Sequence, residues 1–188
     1  MKIKSMLIGL MLTAGSLYGQ PYSIGDTLPE QFFNTVYPTM DLTTGGESTL
    51  KLDDYRDKLI ILYYWFNGCK PCYRSFNKCD SIQPLLKGKN YVVIPFTYQT
   101  AEATRPTLRK FQWNLTSIIN DTSLYASFSH ANMLNMVWIK NGRVYATPES
   151  KYLTAENIIK VLEDRPAPFP LQVDKKALGN QITTKLTF

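Results

Sequence analysis

Two cysteines separated by two residues are the part of the sequence best suited to chemistry. They lie in the segment Cys69-Lys70-Pro71-Cys72, between a continuous apolar run and a segment with helical spacing. A thiol at the first turn of a helix faces unpaired backbone N–H groups and the positive end of the helix dipole, which favour the thiolate and lower the thiol pKa. Lys70 adds a nearby cation, and Pro71 suits a helix start because its missing N–H has no helical partner there.

The spacing also allows the second sulfur to act on the first. A mixed disulfide on Cys69 can be resolved by Cys72, provided that this thiol can reach the bonded sulfur. We therefore expect Cys69 to be exposed and to attack, and Cys72 to face the helix core and to resolve. The same spacing also fits a structural disulfide or half of a zinc site. For zinc, the remaining candidate ligands are Cys79 and the single histidine, His130.

The flanking residues predict a strand-to-helix junction around this motif. Leu59 to Phe66 is a continuous apolar, β-prone run, typical of a strand that is covered on both faces. Asn67-Gly68 breaks the strand, and helical spacing begins at Pro71. Cys79 lies two turns and about 10 Å after Cys72, too far for a disulfide within an intact helix. We therefore interpret Cys79 as a buried, inert thiol.

The rest of the chain alternates strand and helix signals. Tyr91 to Phe96 predicts a second strand, and Ala101 to Trp113 predicts a polar helix that starts late or bends because of Pro106. Met136 to Ala146 predicts a hairpin, since the Asn-Gly at its centre supplies the positive φ angles of a tight turn. Ala155 to Leu162 predicts a final helix with an apolar stripe.

The eight residues from Trp65 to Cys72 resemble the active-site segment of thioredoxin-like proteins. Their surroundings resemble the bacterial envelope branch, the TlpA/ResA-type thiol–disulfide oxidoreductases. Further matches are the lead-in Gly-Asp-Thr-Leu-Pro at Gly25 to Pro29, the Leu-x-x-Tyr-x-x-Lys pattern at Leu52 to Lys58, and the hairpin at Val137 to Gly142. Together they cover about residues 25–162.

This resemblance implies an α/β thioredoxin fold, with a mixed central β-sheet flanked by helices. A weak hairpin signal around Thr43 to Gly46 adds an N-terminal β-hairpin extension. Cys69 and Cys72 are then the expected catalytic residues. The expected supporting residues of the active site are Trp65, Gly68, Lys70, Pro71 and Leu134.

Several positions depart from the family pattern. Leu134 stands where the family usually has a cis-proline, and a cis bond before a residue other than proline costs about 3 kcal/mol, so we expect a trans bond and a different loop facing the cysteines. Tyr63 and Ser75 occupy the positions at which family members carry an acidic proton relay. Proton transfer would then use water or another group. Gly68 replaces the tryptophan that commonly precedes the first cysteine.

Two further functions are compatible with the same fold. Copper chaperones of the Sco type use two cysteines and a distant histidine, which here would be Cys69, Cys72 and His130, and such ligands suit copper. Those proteins, however, separate their cysteines by three residues. A redox-inactive interaction module is the other alternative, kept open by Leu134 and by the missing acidic residue. A peroxidase is disfavoured because Phe66 replaces the Thr or Ser expected three residues before the reactive cysteine.

Length and composition limit the remaining possibilities. The chain has 188 residues, of which 44% are hydrophobic and 19% charged, typical of one globular domain. Residues 1–19 have the layout of a signal peptide, residues 20–164 are predicted to form the domain, and residues 165–188 a C-terminal extension. The net charge of +6 is too small to indicate a nucleic-acid partner, particularly without a cluster of basic residues.

The expected protein is exported to the periplasm or another extracytoplasmic compartment, without stable membrane insertion unless its leader stays uncleaved. Its expected partners are exported proteins with disulfides, which it would reduce, and an upstream thiol donor that would reduce the pair again. No flavin, nicotinamide or metal cofactor is implied.

Overall fold

The computed structural model describes residues 21–128 and 136–169, so the predicted leader lies outside the described residues. The strands in these ranges are β1 (Val36–Asp41), β2 (Glu47–Lys51), β3 (Leu59–Tyr64), β4 (Tyr91–Phe96), β5 (Thr116–Ile118), β6 (Met136–Lys140) and β7 (Arg143–Ala146). The α-helices there are α1 (Glu30–Asn34), α2 (Lys70–Ile82), α3 (Ala101–Leu108), α4 (Ser123–Ser127) and α5 (Ala155–Leu162). In the same ranges, no helix is long and apolar enough to cross a membrane.

Strand β3, the element that leads to the two cysteines, lies in the interior of the sheet. It pairs in parallel with β4 and antiparallel with β6, within the strand order β2-β1-β5-β4-β3-β6-β7. All of its side chains are buried, as the continuous apolar run predicted. The predicted mixed central sheet is therefore confirmed.

Helices cover both faces of this sheet. Successive side chains of β3 point to opposite faces, so Ile61 and Tyr63 lie in one core cluster, whereas Ile60 and Leu62 lie in the other. The first cluster is covered by α2 and α5, and the second by α1 and α4. The face that α2 turns to the core is the predicted one, with Cys72, Phe76, Cys79 and Ile82 buried.

The predicted N-terminal hairpin is confirmed, and it is continuous with the main sheet. Its strand β1 pairs antiparallel with β5, where Thr39 lies opposite Ile118. The turn is closed by the Asp41 carboxylate, which accepts the N–H groups of Thr43 at 2.9 Å and Thr44 at 2.7 Å. The hydrogen bond from the Thr44 backbone is the main reason that the pKa of Asp41 is lowered.

The lead-in segment runs along the outer side of β7. The N–H of Gly25 donates to the carbonyl of Val144 at 2.8 Å, and the N–H of Val144 donates to the carbonyl of Asp26 at 3.0 Å. The N–H of Leu28 donates to Gly142 at 2.9 Å. Strand β7 is therefore hydrogen-bonded on both sides along this stretch, to β6 on one side and to the lead-in segment on the other.

Helix α3 differs from its prediction. It begins at Ala101, capped by the side chain of Thr100, so of the two effects predicted for Pro106, a late start or a bend, the late start is wrong. Pro106 has no N–H to donate to the carbonyl of Glu102, the bond that another residue would form here. The helix tolerates this loss because both residues are exposed, so that water can bind the free carbonyl. The helix also ends at Leu108 rather than continuing to Trp113.

The segment after Asp164 packs on the domain as far as it is described. The ring of Phe169 lies 4.9 Å from that of Trp138, 5.8 Å from that of Tyr152 and 6.4 Å from that of Tyr145, measured between centroids. The first residues of the predicted C-terminal extension, 165–169, therefore pack on the domain through Phe169.

Candidate active site

The two cysteines of the CxxC motif form a disulfide at the start of α2. Their Cα atoms are 5.3 Å apart. Cys69 is the N-cap of the helix, and its sulfur accepts the backbone N–H of Cys72 at 3.3 Å. The sulfur of Cys72 lies 3.7 Å from the carbonyl oxygen of Tyr64, the last residue of β3. The predicted strand-to-helix junction thus places both sulfurs at the N-terminus of the helix.

The burial of Cys69 differs from the prediction that it would be exposed. In this disulfide form Cys69 is 2% exposed and Cys72 is 1% exposed. The reason is the disulfide, which ties Cys69 to Cys72 on the buried face of α2. Both cysteines therefore belong to the core cluster that also contains Trp65 and Phe76.

The predicted supporting residues divide into buried and exposed ones. Trp65 is fully buried in the same core cluster as the two cysteines, and its ring nitrogen donates to the hydroxyl of Ser117 at 2.9 Å. Lys70 and Pro71 are exposed at the first two positions of α2. Gly68 is also exposed. Leu134 lies outside the described residues.

Gly68 has a backbone conformation that explains why glycine stands there. Its φ is +87°, a value that residues with a Cβ rarely adopt. A Cβ at this position would meet no atom within 4 Å. The constraint is therefore the backbone angle and not a lack of space.

The positions of the missing acidic relay hold two hydroxyl groups that contact each other. The hydroxyl of Tyr63 donates to that of Ser75 at 3.0 Å, and both residues are buried. Burial raises the pKa of Tyr63, while hydrogen bonds with Ser75 and Ser150 oppose that rise. The pair is therefore a neutral hydrogen-bonding group at ordinary pH.

The third cysteine is inert, as the sequence predicted. Cys79 is a free thiol, 1% exposed, on the same face of α2 as Cys72. Burial is the main cause that raises the pKa of the Cys79 thiol to about 12. Thiolate, the reactive form, is therefore scarce at neutral pH.

The metal alternative finds no support in the described part of the chain. Among residues 21–128 and 136–169, no three side chains of His, Cys, Asp or Glu are placed to hold a metal ion. The third ligand of the copper hypothesis, His130, lies outside the described residues.

Sequence reasoning missed the side chains that hold the loop before Cys69. Asn67 contacts α3 through the carbonyl of Ala103 and the hydroxyl of Thr107. Its backbone N–H donates to the side chain of Gln99 at 2.6 Å, and the N–H of Gly68 donates to the hydroxyl of Tyr73 at 2.6 Å. No local pattern indicates these contacts, because most of them join residues more than 30 positions apart in the sequence.

No model of a known protein family matches the sequence. Solved structures with a similar fold include a PrxQ mutant from Xylella fastidiosa, with 15% identity, a TM-score of 0.61, and coverage of 78% of this chain and 96% of that one. An exposed lipoprotein thioredoxin from Streptococcus pneumoniae has 19% identity and a TM-score of 0.55, covering 69% and 99%. A thiol:disulfide interchange protein from a Bacteroides species has 14% identity and a TM-score of 0.51, covering 75% and 89%.

At these identities the likeness shows the fold alone. It agrees with the mixed sheet flanked by helices. The chain therefore has a thioredoxin-like fold, with a CxxC pair at disulfide distance.

Proposed function

We propose that the chain is a thiol–disulfide oxidoreductase of the TlpA/ResA type, which exchanges disulfides with exported proteins through Cys69 and Cys72. The observation that carries this proposal is the position of the pair. The sulfur of Cys69 accepts a backbone N–H at the N-terminus of α2. This end of the helix stabilises a thiolate once the disulfide is opened. A structural disulfide would not require this position.

We propose that the pair works in the reducing direction, by the following exchange steps. The Cys69 thiolate attacks one sulfur of a substrate disulfide, a mixed disulfide forms, and the other substrate sulfur leaves as a thiolate that takes up a proton. Cys72 then loses its proton and attacks the Cys69 sulfur, which releases the second substrate thiol and restores the Cys69–Cys72 disulfide. Two electrons pass from the pair to the substrate, and a separate dithiol donor must return them.

The proposed supporting residues of the active site are Trp65, Gly68, Lys70, Pro71 and Leu134. Trp65 supports the pair from the core, Gly68 provides the turn before it, and Lys70 and Pro71 form the first positions of α2. Export through the predicted leader, residues 1–19, would place the protein with disulfide-bearing substrates. Two neighbours in fold, the lipoprotein thioredoxin and the interchange protein, have names that agree with this chemistry and location.

The roles of the two sulfurs can be separated with single substitutions. The reduced protein is expected to reduce a model protein disulfide, and Cys69→Ser is expected to abolish that reaction. Cys72→Ser is expected to accumulate a mixed disulfide with the substrate, which mass spectrometry detects. Cys79→Ala is the matched control, since it removes a cysteine from the same helix face and should leave the reaction unchanged.

Two results would contradict the proposal. One is a wild-type protein that fails to exchange with any protein or glutathione disulfide. The other is stoichiometric copper bound by the reduced protein and lost in His130→Ala, which would favour the chaperone alternative.

A further inference from the structure

The loop between β3 and Cys69 is held to α3 by one side chain. The Asn67 amide nitrogen donates to the carbonyl of Ala103, and the Asn67 amide oxygen accepts the hydroxyl of Thr107 at 2.7 Å. The Asn67 backbone N–H donates to Gln99, in the connection between β4 and α3, at 2.6 Å. Asn67 is therefore fixed from its backbone and from both ends of its amide.

The next residue is fixed from the opposite side by α2. The N–H of Gly68 donates to the hydroxyl of Tyr73 at 2.6 Å. The ring of Tyr73 packs at 5.0 Å from that of Phe111 and at 5.4 Å from that of Trp113, measured between centroids. Because the ring is held by these neighbours, its hydroxyl is a fixed acceptor for the Gly68 N–H.

We propose that Asn67 and Tyr73 are positioning residues that favour the disulfide form of the Cys69–Cys72 pair. This inference rests on the proposed function. In the disulfide form, Cys69 is bonded to Cys72 while the contacts of Asn67 and Gly68 hold the loop before it. In the reduced protein the same contacts keep the Cys69 sulfur next to Cys72, which favours formation of the disulfide because the two sulfurs are already close together.

The two forms therefore depend on these contacts to different degrees. An interaction that stabilises one form more than the other shifts the equilibrium toward the form it favours. Removing the contacts should destabilise the disulfide form more, because the reduced loop is free to relax when they are lost, so that the pair becomes easier to reduce. A residue with a purely structural role would stabilise both forms equally and leave the redox equilibrium unchanged.

Tyr73→Phe is the sharpest test, because it removes one oxygen and retains the ring. The full chain is equilibrated with mixtures of reduced and oxidised glutathione, and the fraction of Cys69–Cys72 disulfide is measured. We expect the equilibrium constant to move away from the disulfide, toward the dithiol, by roughly three- to tenfold, the range of one hydrogen bond. Thr107→Val should shift it in the same direction, and Thr107→Ser, which retains the hydroxyl, should restore the wild-type value.

Asn90→Ala is the matched control. The Asn90 amide donates to the carbonyl of Asp57 at 2.6 Å, beside the first residues of β3 and β4 and away from the pair. Its loss removes the same kind of bond, so urea unfolding should begin earlier while the glutathione equilibrium stays at the wild-type value.

The outcomes separate this inference from the proposed function. A wild-type pair that exchanges with glutathione, together with unshifted Tyr73→Phe and Thr107→Val variants, would overturn the positioning role and leave the oxidoreductase proposal standing. A shift as large in Asn90→Ala would also overturn it, because the effect would then not be specific to the loop. A wild-type pair that does not exchange would remove the basis of both.

Discussion

The hydroxyl of Tyr63 donates a hydrogen bond of 3.0 Å to the hydroxyl of Ser75, between β3 and α2. The pKa of Tyr63 is raised by its burial and is lowered in turn by hydrogen bonds with Ser75 and Ser150. The Tyr63 hydroxyl thus has two hydrogen-bonding neighbours, Ser75 and Ser150, and either serine can serve as its partner in the core. This arrangement makes its energetics testable by removing the two neighbours separately and together.

Removing both serine hydroxyls should cost more stability than the sum of the single changes. Ser75→Ala and Ser150→Ala each leave the phenol one neighbour, so each should lower the free energy of unfolding by about 1 kcal/mol or less. The double variant leaves the buried Tyr63 hydroxyl without either serine as a partner, which adds a desolvation cost of about 1–3 kcal/mol. Urea unfolding of the oxidised protein measures all three values.

Tyr63→Phe provides the control for this cycle. In the Tyr63→Phe variant there is no hydroxyl that can lose its partners. The effects of the two serine changes on the free energy of unfolding should therefore be additive. The interpretation fails if the excess cost of the double change persists without the Tyr63 hydroxyl.

Cys79 should make the protein less stable at alkaline pH. Its pKa is raised by burial to about 12 in the folded protein, whereas an exposed thiol titrates near 9. Between these values the unfolded chain loses the proton and the folded chain retains it, so stability is full below pH 9 and falls as pH rises. Cys79 should contribute a loss of about 1 kcal/mol from pH 9 to pH 10.

Comparison with Cys79→Ala isolates this contribution. The variant starts from a lower stability because it leaves a small cavity, but its stability should decline less steeply between pH 9 and 10. Equal slopes for the two proteins over that interval would contradict the raised pKa.

Gly68→Ala should destabilise the protein through the backbone alone. The φ of +87° is strained for any residue with a Cβ, although the space around it is open, so the expected loss is about 1–2 kcal/mol. Gly25→Ala is matched, since Gly25 has a φ of +93° and equally open surroundings. Both variants should unfold earlier in urea, and only Gly68→Ala should also slow disulfide exchange; slowing in both would point to a global effect.

Phe169→Ala should expose the aromatic group formed by Trp138, Tyr145 and Tyr152. Phe169 is half-buried against these rings, so its loss should cost about 1–2 kcal/mol of unfolding free energy. The emission of Trp138 should change in the folded state, because its surroundings change. Pro168→Ala, at the neighbouring exposed position, should show neither effect.

The junction around Cys69 could be predicted because its signals are local. A continuous apolar run, a two-residue break and a helical repeat follow each other from Leu59 to Ile82, and each reports the structure of its own segment. The Asn141-Gly142 turn is similarly local, since both residues have the positive φ that the sequence predicted.

The features that could not be predicted depend on distant residues. The burial of Cys69 follows from its bond to Cys72 and from its packing in a core cluster, which the residue type alone does not indicate. The contacts of Asn67 with α3 likewise form only in the packed protein, because Ala103 and Thr107 lie 36 and 40 positions after Asn67 in the sequence. The exposed setting that tolerates Pro106 within α3 is a further tertiary effect that propensity alone does not contain.

The pairing of residues 25–28 with β7 has a consequence for solubility. A strand with free N–H and C=O groups on one side invites the same strand of another molecule to add to it. Here the chain's own lead-in occupies that position, and at the other margin β2 is short and begins and ends with the charged residues Glu47 and Lys51. Self-association into extended ribbons is thus discouraged at both sides of the sheet.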